Sequence, residues 1–140
     1  MIKKIIFSVR FMKDSDKKLK VLIVDDEVNF LSACKRFLEK DYAIYACSSG
    51  RLAMELINSG IEFNVIFLDV SIPDMSGIDI YKSMKNGKAG FIDRLIFITA
   101  GALDKETQDF LDNVKNTKLE KPFDLIRLTE QIVEKTKSLL

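Results

Sequence analysis

The sequence predicts an α/β domain, a doubly wound five-stranded parallel sheet covered by helices on both faces. Three observations carry this. The strand-like segments are continuously apolar rather than alternating, as strands buried on both faces must be. Strand-like and helix-like patterns alternate strictly, five times each. The most apolar strands also end abruptly on polar residues, as happens where a sheet opens onto a ligand crevice.

The elements follow in order. Lys20-Val21-Leu22-Ile23-Val24 is a short buried strand that ends on Asp25-Asp26-Glu27. Val28, Leu31, Cys34 and Leu38 then recur at helical spacing to about residue 40. A second strand covers 42–46. Ser48-Ser49-Gly50 opens a helix carrying Leu52, Ala53, Leu56 and Ile57 on one side, and Asn58-Ser59-Gly60 stops it. The third strand, Val65-Ile66-Phe67-Leu68-Asp69, organises the rest of the chain. Pro73 and Gly77 mark a tight loop after it, and a helix runs over about 78–85. Residues 94–99 form the fourth strand, ending on Thr99. Asp104 is expected to cap a helix to about residue 114, with Phe110, Leu111 and Val114 inward. A short fifth strand covers about 117–119. Asp124 is expected to cap a last helix through Leu128, Ile132 and Leu139.

At 140 residues the chain makes one domain, with an extension in front of it. Residues 1–20 carry seven basic and two acidic side chains, leaving 15 basic against 19 acidic for the remainder. Residues 1–19 therefore read as a basic extension, expected to be mobile or held through few contacts, with Met12 as an alternative start. Residues 20–140 form the mildly acidic domain, which argues against direct nucleic-acid binding. No apolar run approaches a membrane span, and the N-terminus is a poor signal peptide. Cys34 and Cys47 form no Cys-x-x-Cys pair, and two buried, reduced thiols in a cytoplasmic protein are expected. Nothing in the sequence after the fifth helix suggests an output domain.

The most excluding count is zero histidines. It removes Ser-His-Asp and Cys-His catalysis, nearly all zinc sites, and a phosphohistidine role. Chemistry is left to carboxylates, lysine and hydroxyls, and any metal should be a hard ion such as Mg²⁺. A lone acid at a strand end commonly caps a turn. Here the strand ends bring Asp25, Asp26, Asp69, Thr99 and Lys121 to one edge. Three carboxylates in one crevice repel unless a cation intervenes, and Mg²⁺ accepts carboxylates together with phosphoryl oxygens. A carboxylate nucleophile, a cation, a lysine and a hydroxyl amount to an acceptor for phosphoryl transfer.

Val-Asp-Asp-Glu after strand 1, Leu-Asp-x-x-x-Pro-x-x-x-Gly after strand 3, Ile-Thr-Ala after strand 4 and Lys-Pro-Phe after strand 5 resemble the receiver domain of two-component response regulators. All four motifs stand in order, and the match runs from Lys20 to about Leu139. The resemblance implies the flavodoxin-like, CheY-like strand order 2-1-3-4-5. It makes Asp69 the phosphoacceptor, taking its phosphoryl group from a histidine kinase or phosphotransfer protein. Asp26 resembles the direct Mg²⁺ ligand, Asp25 a water-mediated one, and the Ser71 carbonyl the backbone ligand. Thr99 is the hydroxyl that moves onto the phosphoryl group and Lys121 its ion-pair partner. The Lys121–Pro122 bond is expected to be cis. Glu27 reads as a first-turn helix acid. The implied function is a signalling domain with slow self-phosphorylation and dephosphorylation, not an enzyme; a downstream protein and a weak homodimer are the remaining partners.

One position departs from the pattern. Receivers carry an aromatic residue or histidine three before the lysine, and here Lys118 stands there. Ala100-Gly101-Ala102 and Leu119-Glu120-Lys121-Pro122-Phe123 also resemble receivers appended to hybrid histidine kinases. Three other readings compete. A receiver-shaped interaction module that is not phosphorylated would lack acceptor residues that are all present. A haloacid-dehalogenase phosphatase needs Asp-x-Asp where this chain has Asp69 and Ser71. In a flavodoxin, Asp25-Asp26-Glu27 would repel the cofactor phosphate.

Overall fold

The computed structural model of the chain describes residues 18–137. The first 17 residues of the expected extension lie outside them, as does Leu139 of the last helix. Strands β1 (Lys20–Val24), β2 (Ala43–Cys47), β3 (Val65–Asp69), β4 (Leu95–Thr99) and β5 (Lys118–Glu120) form one sheet in the order β2-β1-β3-β4-β5. Every pairing is parallel. This is the doubly wound order the four motifs imply.

The apolar runs explain the layering. All of β3 and β4 is buried, so both faces of the central strands must be covered. Helices α1 (Val28–Leu38) and α5 (Ile126–Thr136) cover one face, with Leu31, Cys34, Leu38, Leu128 and Ile132 packed against Val21, Ile23, Phe67 and Ile98. Helices α2 (Gly50–Ile57), α3 (Gly77–Gly87) and α4 (Lys105–Asn113) cover the other. There Ala53, Leu56, Ile57, Ile80, Met84 and Leu111 pack against Leu22, Ile66, Leu68 and Phe97. Phe97 also anchors an aromatic cluster, with ring centroids 6.0 Å from Tyr81 and 5.9 Å from Phe110.

Most boundaries agree with the sequence within two residues, and the differences have local causes. β2 begins at Ala43 and runs to Cys47, one residue later than expected, because it pairs with β1 through Lys20↔Ala43. α1 ends at Leu38, where the Tyr42 N–H returns to the Leu38 carbonyl. A 3₁₀ segment over Ala89–Arg94, which periodicity does not reveal, buries Phe91 and leads into β4. Asn116 ties that junction to β5, its amide donating to the carbonyls of Ile92 and Leu95. β5 sits one residue later than expected, at Lys118–Glu120.

Asp104 caps α4 as predicted, accepting the Thr107 N–H at 2.7 Å. Asp124 does not cap α5. That helix starts at Ile126 with Leu125 at the N-cap position, and the Asp124 carboxylate instead accepts the Ile126 N–H in the turn before it. Both cysteines are free and buried, as expected; burial pushes the Cys34 thiol up to about 12 and the Cys47 thiol up to about 11. The Lys121–Pro122 bond is cis. Among the described residues no helix is long and apolar enough to cross a membrane.

Candidate functional site

Parallel strands all finish on the same side of the sheet, so the residues just past β1, β3, β4 and β5 meet there. Asp25 and Asp26 follow β1, Asp69 closes β3, Thr99 closes β4, and Lys121 follows β5. One carboxylate oxygen from each of Asp25, Asp26 and Asp69 lies within 4.8 Å of the other two. Asp25 is fully buried, Asp69 and Thr99 are buried, and Asp26 is exposed. The three acids that strand ends predict are thus one cluster, graded from interior to solvent.

Backbone amides orient the two buried acids. Asp25 Oδ1 accepts the Glu27 N–H at 2.9 Å, and Asp69 Oδ1 accepts the Ser71 N–H at 2.8 Å. Each acid therefore closes the turn that follows its own strand. Asp25 Oδ2 touches Lys121 Nζ at 2.7 Å, yet it has no hydrogen bond of acceptable geometry and is otherwise unsatisfied in the interior. A buried carboxylate oxygen with spare acceptor capacity, beside two further carboxylates and open to solvent at Asp26, fits a hard divalent cation.

Among the described residues Lys121 makes no ion pair with Asp69, although its charge favours the ionised Asp69 carboxylate. Its ion pairs run to Asp25 and, at 3.2 Å, to Glu27 Oε1. The ammonium also lies 4.5 Å from the centroid of the Phe30 ring, which packs edge-on against Phe123. Burial works against the ammonium, but the two carboxylates outweigh it and hold its pKa above the ordinary lysine value. Glu27 corrects the sequence reading. It occupies the N-cap position of α1 rather than its first turn, and its carboxylate lies on Lys121. The signal available was its place directly after the acid pair. Lys121 is further tied to β4 through its backbone, the N–H donating to the Thr99 carbonyl at 2.8 Å.

Asp69 is an acid with a raised pKa. Burial pushes its pKa up to about 6; the Ser71 N–H opposes this, and the Asp25 charge adds to it. The raised value has a thermodynamic sign. A carboxyl that ionises near 6 when folded and near 3.8 when unfolded destabilises the fold above pH 6 and ceases to do so as pH falls toward 4. In chelator, Asp69→Asn should therefore be the more stable protein at pH 7.5, by about 1 to 3 kcal/mol. The gap should close on acidification, as urea denaturation at pH 7.5 and pH 4.5 would read. Equal stabilities at pH 7.5 would show that the crevice leaves Asp69 unstrained.

Lys118, which stands where the motif calls for an aromatic residue, is exposed, and its ammonium donates to the Val114 carbonyl just beyond α4. A further contact escaped the sequence. Asp74, in the loop after β3, reaches across to the start of α2, bonding Ser49 and the N–H groups of Gly50 and Arg51. No spacing rule links residue 74 to residue 50; only the folded loop does.

Comparison with known proteins agrees with this geometry. A family profile described as the response regulator receiver domain matches residues 21–133. The response regulator SaeR of Staphylococcus epidermidis is 30% identical over 121 residues, covering 86% of this chain and 49% of that protein. SaeR of Staphylococcus aureus is 31% identical over 104 residues, covering 74% and 44%. The chain thus spans about half the length of the curated relatives it matches. Among solved structures, a CheY-like response regulator receiver domain protein from Methanospirillum hungatei superposes with a TM-score of 0.74 at 24% identity, covering 86% of this chain and 95% of that one. The receiver domain of Francisella response regulator 1452 gives 0.72 at 23% identity, covering 88% and 100%. The profile, the strand order and the acidic crevice lead to one conclusion: the chain belongs to the response regulator receiver domain family of two-component signalling.

Proposed function

We propose that Asp69 is the phosphoacceptor of this receiver and that it works with a divalent cation, Mg²⁺, held by Asp25, Asp26, Asp69 and the Ser71 carbonyl. The single observation that supports this most is the cluster of three carboxylates, one of them the buried, raised-pKa Asp69. When bound, the cation neutralises the carboxylates and the oxygens of the incoming phosphoryl group. The chain's own residues supply the rest. An Asp69 carboxylate oxygen attacks phosphorus, the bond from phosphorus to the donor breaks, and the donor leaves with that electron pair. Lys121, already charged and 2.7 Å from Asp25, is the cation close enough to turn toward a phosphoryl oxygen. The Thr99 hydroxyl, buried at the end of β4, is the donor for another. Hydrolysis by water attack on the acyl phosphate would reset the site.

In this reading the phosphoryl donor is a histidine kinase or a phosphotransfer protein in the cytoplasm, and the phosphorylated domain acts on a downstream protein. The domain starts at Lys20, with residues 1–19 as an extension. The alternative of a receiver-shaped module without phosphorylation has no observation in its favour. Incubation with Mg²⁺ and acetyl phosphate should raise the intact mass by one phosphoryl group, and chelator should prevent it. No mass gain in excess Mg²⁺ would overturn the assignment.

A further inference from the structure

The loop between β3 and α3 is fastened to α2, a helix earlier in the chain. The Asp74 carboxylate accepts the Gly50 N–H at 2.9 Å on Oδ1, and the Ser49 hydroxyl at 2.8 Å and the Arg51 N–H at 3.1 Å on Oδ2. The two backbone N–H groups, followed by the hydroxyl, lower its pKa to about 2. α2 has no acid in its own first turn, and Ser49 caps only the Leu52 N–H. Asp74 therefore satisfies two of the donors that the helix's own cap leaves open.

The backbones meet as well. A Cβ on Gly50 would stand 2.6 Å from the Met75 carbonyl oxygen, and one on Gly77 would stand 2.8 Å from Val70 Cα and 2.9 Å from the Asp69 carbonyl oxygen. The loop 70–76 thus closes on the end of the strand that presents Asp69, with the Gly77 N–H returning to the Val70 carbonyl, while its Asp74–Met75 part lies against the first turn of α2. On β5, Lys118 is exposed, its ammonium held on the Val114 carbonyl, and it offers no bulky apolar group to move inward.

We propose that Asp74 is a positioning residue that couples the Asp69 crevice to the first turn of α2. It fixes the loop bearing Ser71 for the cation, and movement of that loop on phosphorylation changes the capping of α2. This rests on the function proposed above. A ligand at Asp69 can shift the loop only by binding one loop position more tightly than another, and the α2 cap is the contact that differs between them.

The test compares the wild-type chain with Asp74→Ala and Asp74→Asn, alone, with Mg²⁺, and with Mg²⁺ and beryllofluoride. In the free protein the Gly50, Arg51 and Leu52 amides should exchange about five to ten times faster in Asp74→Ala. Its Mg²⁺ affinity by calorimetry should fall about tenfold, with Asp74→Asn, which keeps one acceptor oxygen, in between. Beryllofluoride should change exchange at those three amides in wild type but not in Asp74→Ala. Unchanged Mg²⁺ affinity in Asp74→Ala, or an α2 response equal to wild type, would overturn the coupling alone. A wild type that binds no Mg²⁺ would overturn both the coupling and the phosphoacceptor reading.

Discussion

Asp69→Asn is expected to gain no mass at all from acetyl phosphate and Mg²⁺, under conditions that label the wild type. The amide cannot serve as the nucleophile, because its oxygen carries no charge to donate to phosphorus. The neighbouring acids cannot substitute. Asp25 is fully buried with one oxygen on the Glu27 N–H and the other against Lys121, and Asp26 is exposed to solvent rather than held at a strand end. The same variant should be the more stable one in chelator, so its loss of labelling cannot be ascribed to unfolding. Intact-mass measurement on both proteins decides it, and equal labelling would move the acceptor elsewhere.

The second large effect concerns stability. Lys121→Ala should destabilise the metal-free protein by about 3 to 5 kcal/mol, because it removes the partner of a buried charge. Asp25 Oδ2 would be left with neither hydrogen bond nor counter-ion, in a crevice that already holds two further carboxylates. The cation–π contact with Phe30 would go with it. Mg²⁺ should restore most of the loss, since it binds the folded acids and not the dispersed ones of the unfolded chain. Urea denaturation with and without Mg²⁺ measures this. A small loss that Mg²⁺ does not alter would mean that Lys121 serves the phosphoryl group alone. Glu27→Gln is the natural control, because Glu27 is exposed and its pairing with Lys121 is screened by water.

The sheet and its crevice were legible because burial on both faces writes itself into sequence as uninterrupted apolar runs, and Val65-Ile66-Phe67-Leu68 could hardly be anything but a central strand. Parallel pairing then forces the residues after each run to one edge, so Asp25, Asp26, Asp69, Thr99 and Lys121 could be grouped from sequence. What sequence could not supply was side-chain direction across loops. Glu27 looked like a helix acid and is a lysine partner. Asp124 looked like a cap and closes a turn one residue too early. Asp74 carried no signal at all, because its partners at Ser49, Gly50 and Arg51 belong to an element more than twenty residues away. The 3₁₀ segment at Ala89–Arg94 is missed for another reason: two tight turns around Phe91 have neither of the two periods that pattern reading detects.

The strand order also sets a sequence of events during synthesis. β1 is made first but lies in the interior of the sheet, and its pairing with β3 joins Val21 to Val65, 44 positions later. At ~5 to 20 residues per second on the ribosome, that wait lasts roughly 2 to 9 seconds. When β3 does arrive, it brings Asp69 beside Asp25 and Asp26 while Lys121 is still unmade, 96 positions after the acid it will pair with. The nascent sheet is thus most acidic at its ligand edge before it is complete. The shortest strand, β5, closes the sheet last and carries the compensating charge in just behind it.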